Sequence, residues 1–151
     1  MWNEFVSYLN SVFPRGSALF MCIGAVVGAG VWALGGIDIA IQWLCAFTVI
    51  DYLTGNVAAL KTGEWNSSTG YKGLLKKVII FVIVAVCNGL DQVIGSGIFR
   101  SAAIMAYSVN EAGSIIENID RLGLGSRIPS VLRNGLRDLR VKNEIKEDKH
   151  E

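Results

Sequence analysis

Charge is scarce in this chain: 18% of its residues are Asp, Glu, Lys or Arg, against 52% apolar, and the mean hydropathy is +0.43. Soluble domains carry about a quarter charged residues, so the shortage excludes an ordinary water-soluble globule and places the chain in a membrane. Histidine occurs once, at His150 in a polar tail, and the three cysteines, Cys22, Cys45 and Cys87, stand singly in apolar runs. Without CxxC spacing or a nearby histidine they suggest neither a metal site nor a disulfide framework. GxSxG, His-centred pairs and phosphate-cradling loops are all lacking, and the glycines at 95–97 and 123–125 read as turns. The expectation is therefore no enzyme, no cofactor, no metal and no nucleic-acid partner.

What is present is a series of apolar runs, and they predict an all-α polytopic membrane protein. Residues 2–13 place Trp2, Phe5, Val6, Leu9, Val12 and Phe13 at helical spacing opposite Asn3, Glu4, Ser7 and Asn10. That pattern predicts an interfacial amphipathic helix over residues 1–16, ended by Pro14, Arg15 and Gly16, with an accidental periodicity as the alternative. A membrane domain over residues 17–119 follows, with spans at about 18–34, 39–60, 78–94 and 99–119. A cleaved signal peptide competes for the first run, although no basic cluster precedes it. Gly24 and Gly28 in that run lie one turn apart and would let a second helix approach closely.

The 62–73 stretch, TGEWNSSTGYKG, is rich in turn formers and reads as a loop closed by Lys76 and Lys77. Beyond the fourth span, residues 120–151 divide into a basic amphipathic helix and a polar tail. Pro129 suits a first turn, Ile128, Leu132, Leu136 and Leu139 share one face, and Arg133, Arg137 and Arg140 lie beside it. That helix is expected to rest on the anionic inner leaflet, and no packed structure is expected from Asn143 onward. Four lysines fall in residues 61–77 and eight Lys or Arg after Ile116, whereas the turns at 35–38 and 95–97 carry none. Both termini and the middle loop should therefore face the cytoplasm.

Within these runs sit carboxylates. An Asp near mid-helix costs roughly 2.5–3.5 kcal/mol to insert, while each Leu, Ile, Phe or Val returns about 0.3–0.6 kcal/mol. Ten such residues in 37–60 outweigh Asp51, but the acid should not face lipid. Gly55 and Ala59 share its face, a stripe of small residues suited to helix packing. Asn88 and Asp91 repeat the pattern in the third span, and Arg100, Tyr107, Glu111, Ser114 and Asn118 in the fourth. Asp51 lies ten residues before Lys61, Glu111 ten before Arg121, and Asp91 fourteen after Lys77. That counting sets Asp51 and Glu111 at one depth without a basic partner, and Asp91 near Arg100 across a hairpin, a possible ion pair. Two readings of the acids stay open: glue between helices, or a face that meets water.

The stretch from Asp51 to Asp91 resembles the toxin secretion and phage lysis holin family. The matching residues are Asp51 with Gly55 and Ala59, then Asn66, Ser67, Gly70, Gly73, Lys76 and Lys77, and finally Asp91. Tyr107, the Asn110 and Glu111 pair, and the 123–129 segment look like the family more loosely. The resemblance implies a pore-forming protein of the bacterial cytoplasmic membrane that oligomerises and opens holes for an endolysin or toxin. A folded enzyme is at least about 30 Å across, so four helices each about 10 Å wide cannot enclose it, and roughly eight or more copies must share a ring of ~50 Å bore. The expected partners are thus the lipid bilayer and further copies of the chain. A small ion or proton channel, with Asp51 and Glu111 as its pathway, and an accessory membrane subunit remain the alternatives.

Overall fold

The computed structural model describes residues 3, 4, 7 and 16–147. Five α-helices make up the described residues: α1 Gly16–Ala33, α2 Ile39–Thr62, α3 Ser67–Ile94, α4 Ile98–Arg121 and α5 Ser130–Glu147, with a 3-10 turn at Gly125–Arg127 before α5. No strand occurs among them. The chain divides into two compact units, Met1–Gly36 and Ile37–Glu151.

In the first unit, α1 is an uninterrupted apolar helix, and Gly24 and Gly28 have open space beside them. Of the interfacial helix expected at residues 2–13, only Asn3, Glu4 and Ser7 are described, all helical; the remainder lies outside the described residues.

The second unit is a bundle in which α4 packs most extensively on α2 and next on α3, while α2 and α3 touch little. Two of its helices, Ile39–Thr62 and Gly70–Ile94, are long and apolar enough to cross a membrane, and only 28% and 17% of their apolar windows are buried. A soluble core helix would show the reverse, so the two helices are candidate membrane spans. The interior is small and mixed. Its apolar part is Ile41, Leu44, Ala58, Ala59, Ile80, Val84 and Ile104, and its polar part is Thr48, Asp51, Asn88, Asp91 and Glu111.

The inward positions repeat at spacings of three and four. On α2 they are Ile41, Leu44, Thr48, Asp51, Gly55 and Ala58, and on α4 Ile104, Tyr107, Glu111, Ser114 and Asn118. Such a stripe is the seam of helices packed nearly parallel. The partners at the two ends fix the directions. Lys61 Nζ donates to the Leu122 carbonyl and Arg121 pairs with Glu64 at one end, and Arg100 pairs with Asp38 at the other. Helices α2 and α4 therefore run parallel, with α3 antiparallel to both.

The 62–73 loop expectation is corrected. Helix α3 begins at Ser67, so Ser67, Gly70, Gly73, Lys76 and Lys77 are helical, and only residues 64–66 lie between it and the α2 cap. Asn66 stands where the helix starts, and its carbonyl accepts the Gly70 N–H at 3.1 Å. Asn, Ser and Thr, the usual turn formers, are equally the residues of a helix N-terminus. The two glycines admit a neighbour: a Cβ on Gly73 would lie 3.7 Å from the Tyr52 ring, and one on Gly70 4.0 Å from its hydroxyl. Helix α2 ends at Gly63, whose φ of 73° lets Glu64 N–H return to the Ala59 carbonyl at 3.0 Å. Residues 143–147, expected to lack structure, continue α5.

Candidate functional site

The bundle's inner positions collect its charged groups at two levels. At the level of Asp51, Lys77 reaches in from α3 and its ammonium touches both Asp51 on α2 and Glu111 on α4. Asp51 and Glu111 do share one depth, but the expectation that they lack a basic partner is overturned. Lys77 is not the edge of a loop. Its side chain is 14% exposed, that of Asp51 12% and that of Glu111 3%, so one cation joins three helices in the interior of the bundle. The second oxygen of Asp51 accepts Asn118 Nδ2 at 2.9 Å, and the same amide lies 3.3 Å from Thr54 Oγ1.

Gly55 is what admits Asn118. A Cβ there would stand 3.4 Å from the Asn118 amide nitrogen, a contact that alanine meets with little adjustment and a branched or longer side chain does not. Gly55→Leu should displace Asn118 and cost about 1–3 kcal/mol in unfolding measured in detergent, while Gly55→Ala stays within about 1 kcal/mol of the parent.

Signal for Lys77 exists in the sequence. It stands two heptads before Asp91 and one before Val84, hence on the buried face of α3 with Ile80 and Asn88. Counting residues for depth alone conceals that they share a face.

The outer level is built around Asp91. Its carboxylate accepts the backbone N–H groups of Phe99 at 3.1 Å and Arg100 at 2.7 Å and the Ser96 hydroxyl, so it caps the first turn of α4 from the end of α3. Gly95, with φ of 74°, turns the chain back sharply enough for this. Asp91 and Arg100 are thus neighbours, as the hairpin suggested, joined through the Arg100 main chain. The Arg100 guanidinium reaches Asp38, Nη1 to Oδ2 at 2.6 Å. Asp38 also caps α2, its Oδ1 accepting Ile41 N–H at 2.9 Å.

The Arg100 hydrogen bond, followed by the Ile41 N–H, holds the Asp38 carboxyl below the ordinary carboxylate range. A depressed folded-state value stabilises above the unfolded value of about 3.9 and is lost as pH falls through the folded one. Asp38→Asn keeps the helix cap and removes the charge, so the parent should be the more stable at pH 7 and 5, with the gap closing only below about pH 4. Thermal unfolding of both proteins in detergent at these pH values checks this.

Between the two levels, Leu44, Val84 and Ile104 are almost wholly buried. They separate the two charged levels, in company with the buried Thr48 and Asn88. Below the Lys77 level, a cavity of about 350 Å³ opens between α2 and α3 on the floor of α4. It is lined by Asp51, Gly55, Ala59, Gly70, Gly73, Lys76 and Lys77, among others. Seven residues of the sequence pattern therefore line one polar space, Asn66 and Ser67 stand where the helix that forms its wall begins, and Asp91 lies at the other level. Asn88 is buried on α3 and Tyr107 half-buried on α4, both on the inner face between the levels. Gly24 and Gly28 belong to the other unit.

Comparison with known proteins agrees with this reading. The model of the bacteriophage holin family matches residues 28–141. An uncharacterised protein of Listeria innocua is 36% identical over 129 residues, spanning 85% of this chain and 89% of that one. An uncharacterised protein of Clostridium perfringens is 38% identical over 117 residues, 76% of this chain and 85% of its own length. A protein of Bacillus phage phi105 described as a probable holin is 30% identical over 107 residues, 70% of this chain and 78% of that one. No solved structure matches. A family match that takes in α2, α3 and α4 entire, with both charged levels and the cavity, shows that this chain belongs to the bacteriophage holin family.

Proposed function

We propose that the protein is a holin that spans the cytoplasmic membrane four times with both termini inside, accumulates as closed bundles, and assembles into lesions that release a cell-wall lytic enzyme or toxin and dissipate the membrane potential. The observation that carries this is the Lys77 bridge: acids of two helices are neutralised in the interior of a bundle whose outside is apolar. Lipid solubility of the single copy follows, because a carboxylate or ammonium facing acyl chains would cost several kcal/mol. A folded domain is about 30 Å across, and a cavity of about 350 Å³ holds nothing of that size. The single copy is consequently not the hole. A ring of ~50 Å bore needs roughly eight or more copies at two helix widths each. Its lumen becomes polar if the faces bearing Asp51, Lys77 and Glu111 turn from each other toward water as the ring forms. No catalytic step is assigned to the chain.

Induction of the gene in bacteria that hold a cytoplasmic peptidoglycan hydrolase without an export signal tests this. The expected result is abrupt lysis after a fixed delay, only when the hydrolase is present. Collapse of the membrane potential with the hydrolase retained would favour the ion-channel reading, and neither effect would favour an accessory subunit.

A further inference from the structure

We propose that α5 is an interfacial helix that lays the face bearing Val131, Leu132 and Leu139 on the anionic lipid surface from which α4 emerges. Val131 is 82% exposed, Leu132 52% and Leu139 49%, and Gly135 between them has open space beside it. Leu132 and Leu139 follow Val131 by one and eight residues and Gly135 by four, which puts all of them within about 100° on one side of the helix. The polar side of the helix is fixed elsewhere. Arg133 Nη2 donates to Asp120 Oδ1 at 2.9 Å and to the Gly125 carbonyl at 2.7 Å, and Lys61 Nζ bonds the Leu122 carbonyl, so the elbow between α4 and α5 is a built joint.

That joint decides the occupant. The first turn of α5 is hydrogen-bonded to the last turn of α4, at the end of the bundle that also carries Lys61, Lys72 and Lys76. Whatever surface α4 leaves is the surface α5 meets. Charge decides its sign: α5 carries five Lys or Arg against three acids, and Arg137 is exposed with no partner among the described residues. A second copy of the same basic helix would be repelled, whereas anionic headgroups would be attracted. The inference rests on the bundle's insertion in a membrane and not on lesion formation.

The test uses the full-length protein with Cys22, Cys45 and Cys87 replaced by Ala and a polarity-sensitive fluorophore on Leu139→Cys. Arg137→Cys, about 160° away around the helix, is the control, and Val131→Cys is a second reporter on the same face should the first fail to insert. In vesicles of phosphatidylcholine with phosphatidylglycerol, the probe at 139 should emit to the blue and be quenched by brominated acyl chains, and the probe at 137 should do neither. Pure phosphatidylcholine or high salt should weaken the effect. Equal water exposure of both probes would overturn the proposal. So would burial at 139 that grows with the protein-to-lipid ratio and escapes lipid-borne quencher, the signature of a second copy. Release of trapped solutes, scored in the same vesicles, reports separately on lesion formation.

Discussion

Lys77→Met should destabilise the bundle by roughly 3–5 kcal/mol, because it removes one partner of a buried ionic group and leaves the others uncompensated. The ammonium contacts both Asp51 and Glu111, with Glu111 only 2% exposed, so the substitution strands two like-charged carboxylates in the interior. Glu111→Leu costs less, since it leaves Lys77 with one acid and Asp51 with Asn118. The order of the two variants is therefore diagnostic. Neutralising all three sites, Asp51→Asn with Lys77→Met and Glu111→Gln, should recover most of the loss, as replacing a whole buried ionic cluster by neutral groups of similar volume often does. Unfolding by graded denaturing detergent, followed by far-ultraviolet circular dichroism, gives the three values. A Lys77→Met protein as stable as Glu111→Leu would mean that the bridge does not organise the closed bundle. In cells the same loss should bring lysis forward, because the faces that must separate are no longer held.

The second large effect is expected at the other level. Asp91→Leu deletes a 4% exposed carboxylate that accepts two main-chain N–H groups and the Ser96 hydroxyl. Hydrogen bonds to a charged group contribute about 1.5–3 kcal/mol each, and buried donors left without a partner cost about 1–3 kcal/mol each. Losses at one turn are shared, so a total of about 3 kcal/mol is expected. Asp91→Asn keeps an acceptor for one of them and should cost about half as much. Hydrogen exchange is the more specific readout: the amides of Phe99 and Arg100 should exchange faster in Asp91→Leu, while those around Asp51 keep their protection.

The long helices were legible because the apolar runs end at water-seeking residues. The runs at 39–60 and 99–119 are the helices Ile39–Thr62 and Ile98–Arg121, longer by one or two residues at an end. The depth shared by Asp51 and Glu111 was legible too, from equal distances to Lys61 and Arg121. The start of α3 was not. Its first turns contain Ser67, Thr69, Gly70 and Gly73, poor helix formers by local propensity, and helix there depends on contact with Tyr52, a residue of another helix. The inward position of Lys77 is hard to read for a related reason. A lysine at the rim of an apolar run ordinarily extends to the headgroups. Here two acids from neighbouring helices draw it inward; the heptad spacing with Val84 and Asp91 marks its face, but not the two acids that meet it there.

The same physics sets the functional expectation. Polar groups in lipid are stable only when partnered or hydrated, and the closed bundle partners them. The proposed open assembly would hydrate them, and its lumen would admit a folded protein. Liposomes carrying the purified protein and trapped dextrans of graded size measure this directly. Dextrans wider than about 30 Å should leak once the protein-to-lipid ratio passes a threshold, with a steep dependence on that ratio. Leakage of ions alone at every ratio, with all dextrans retained, would contradict it.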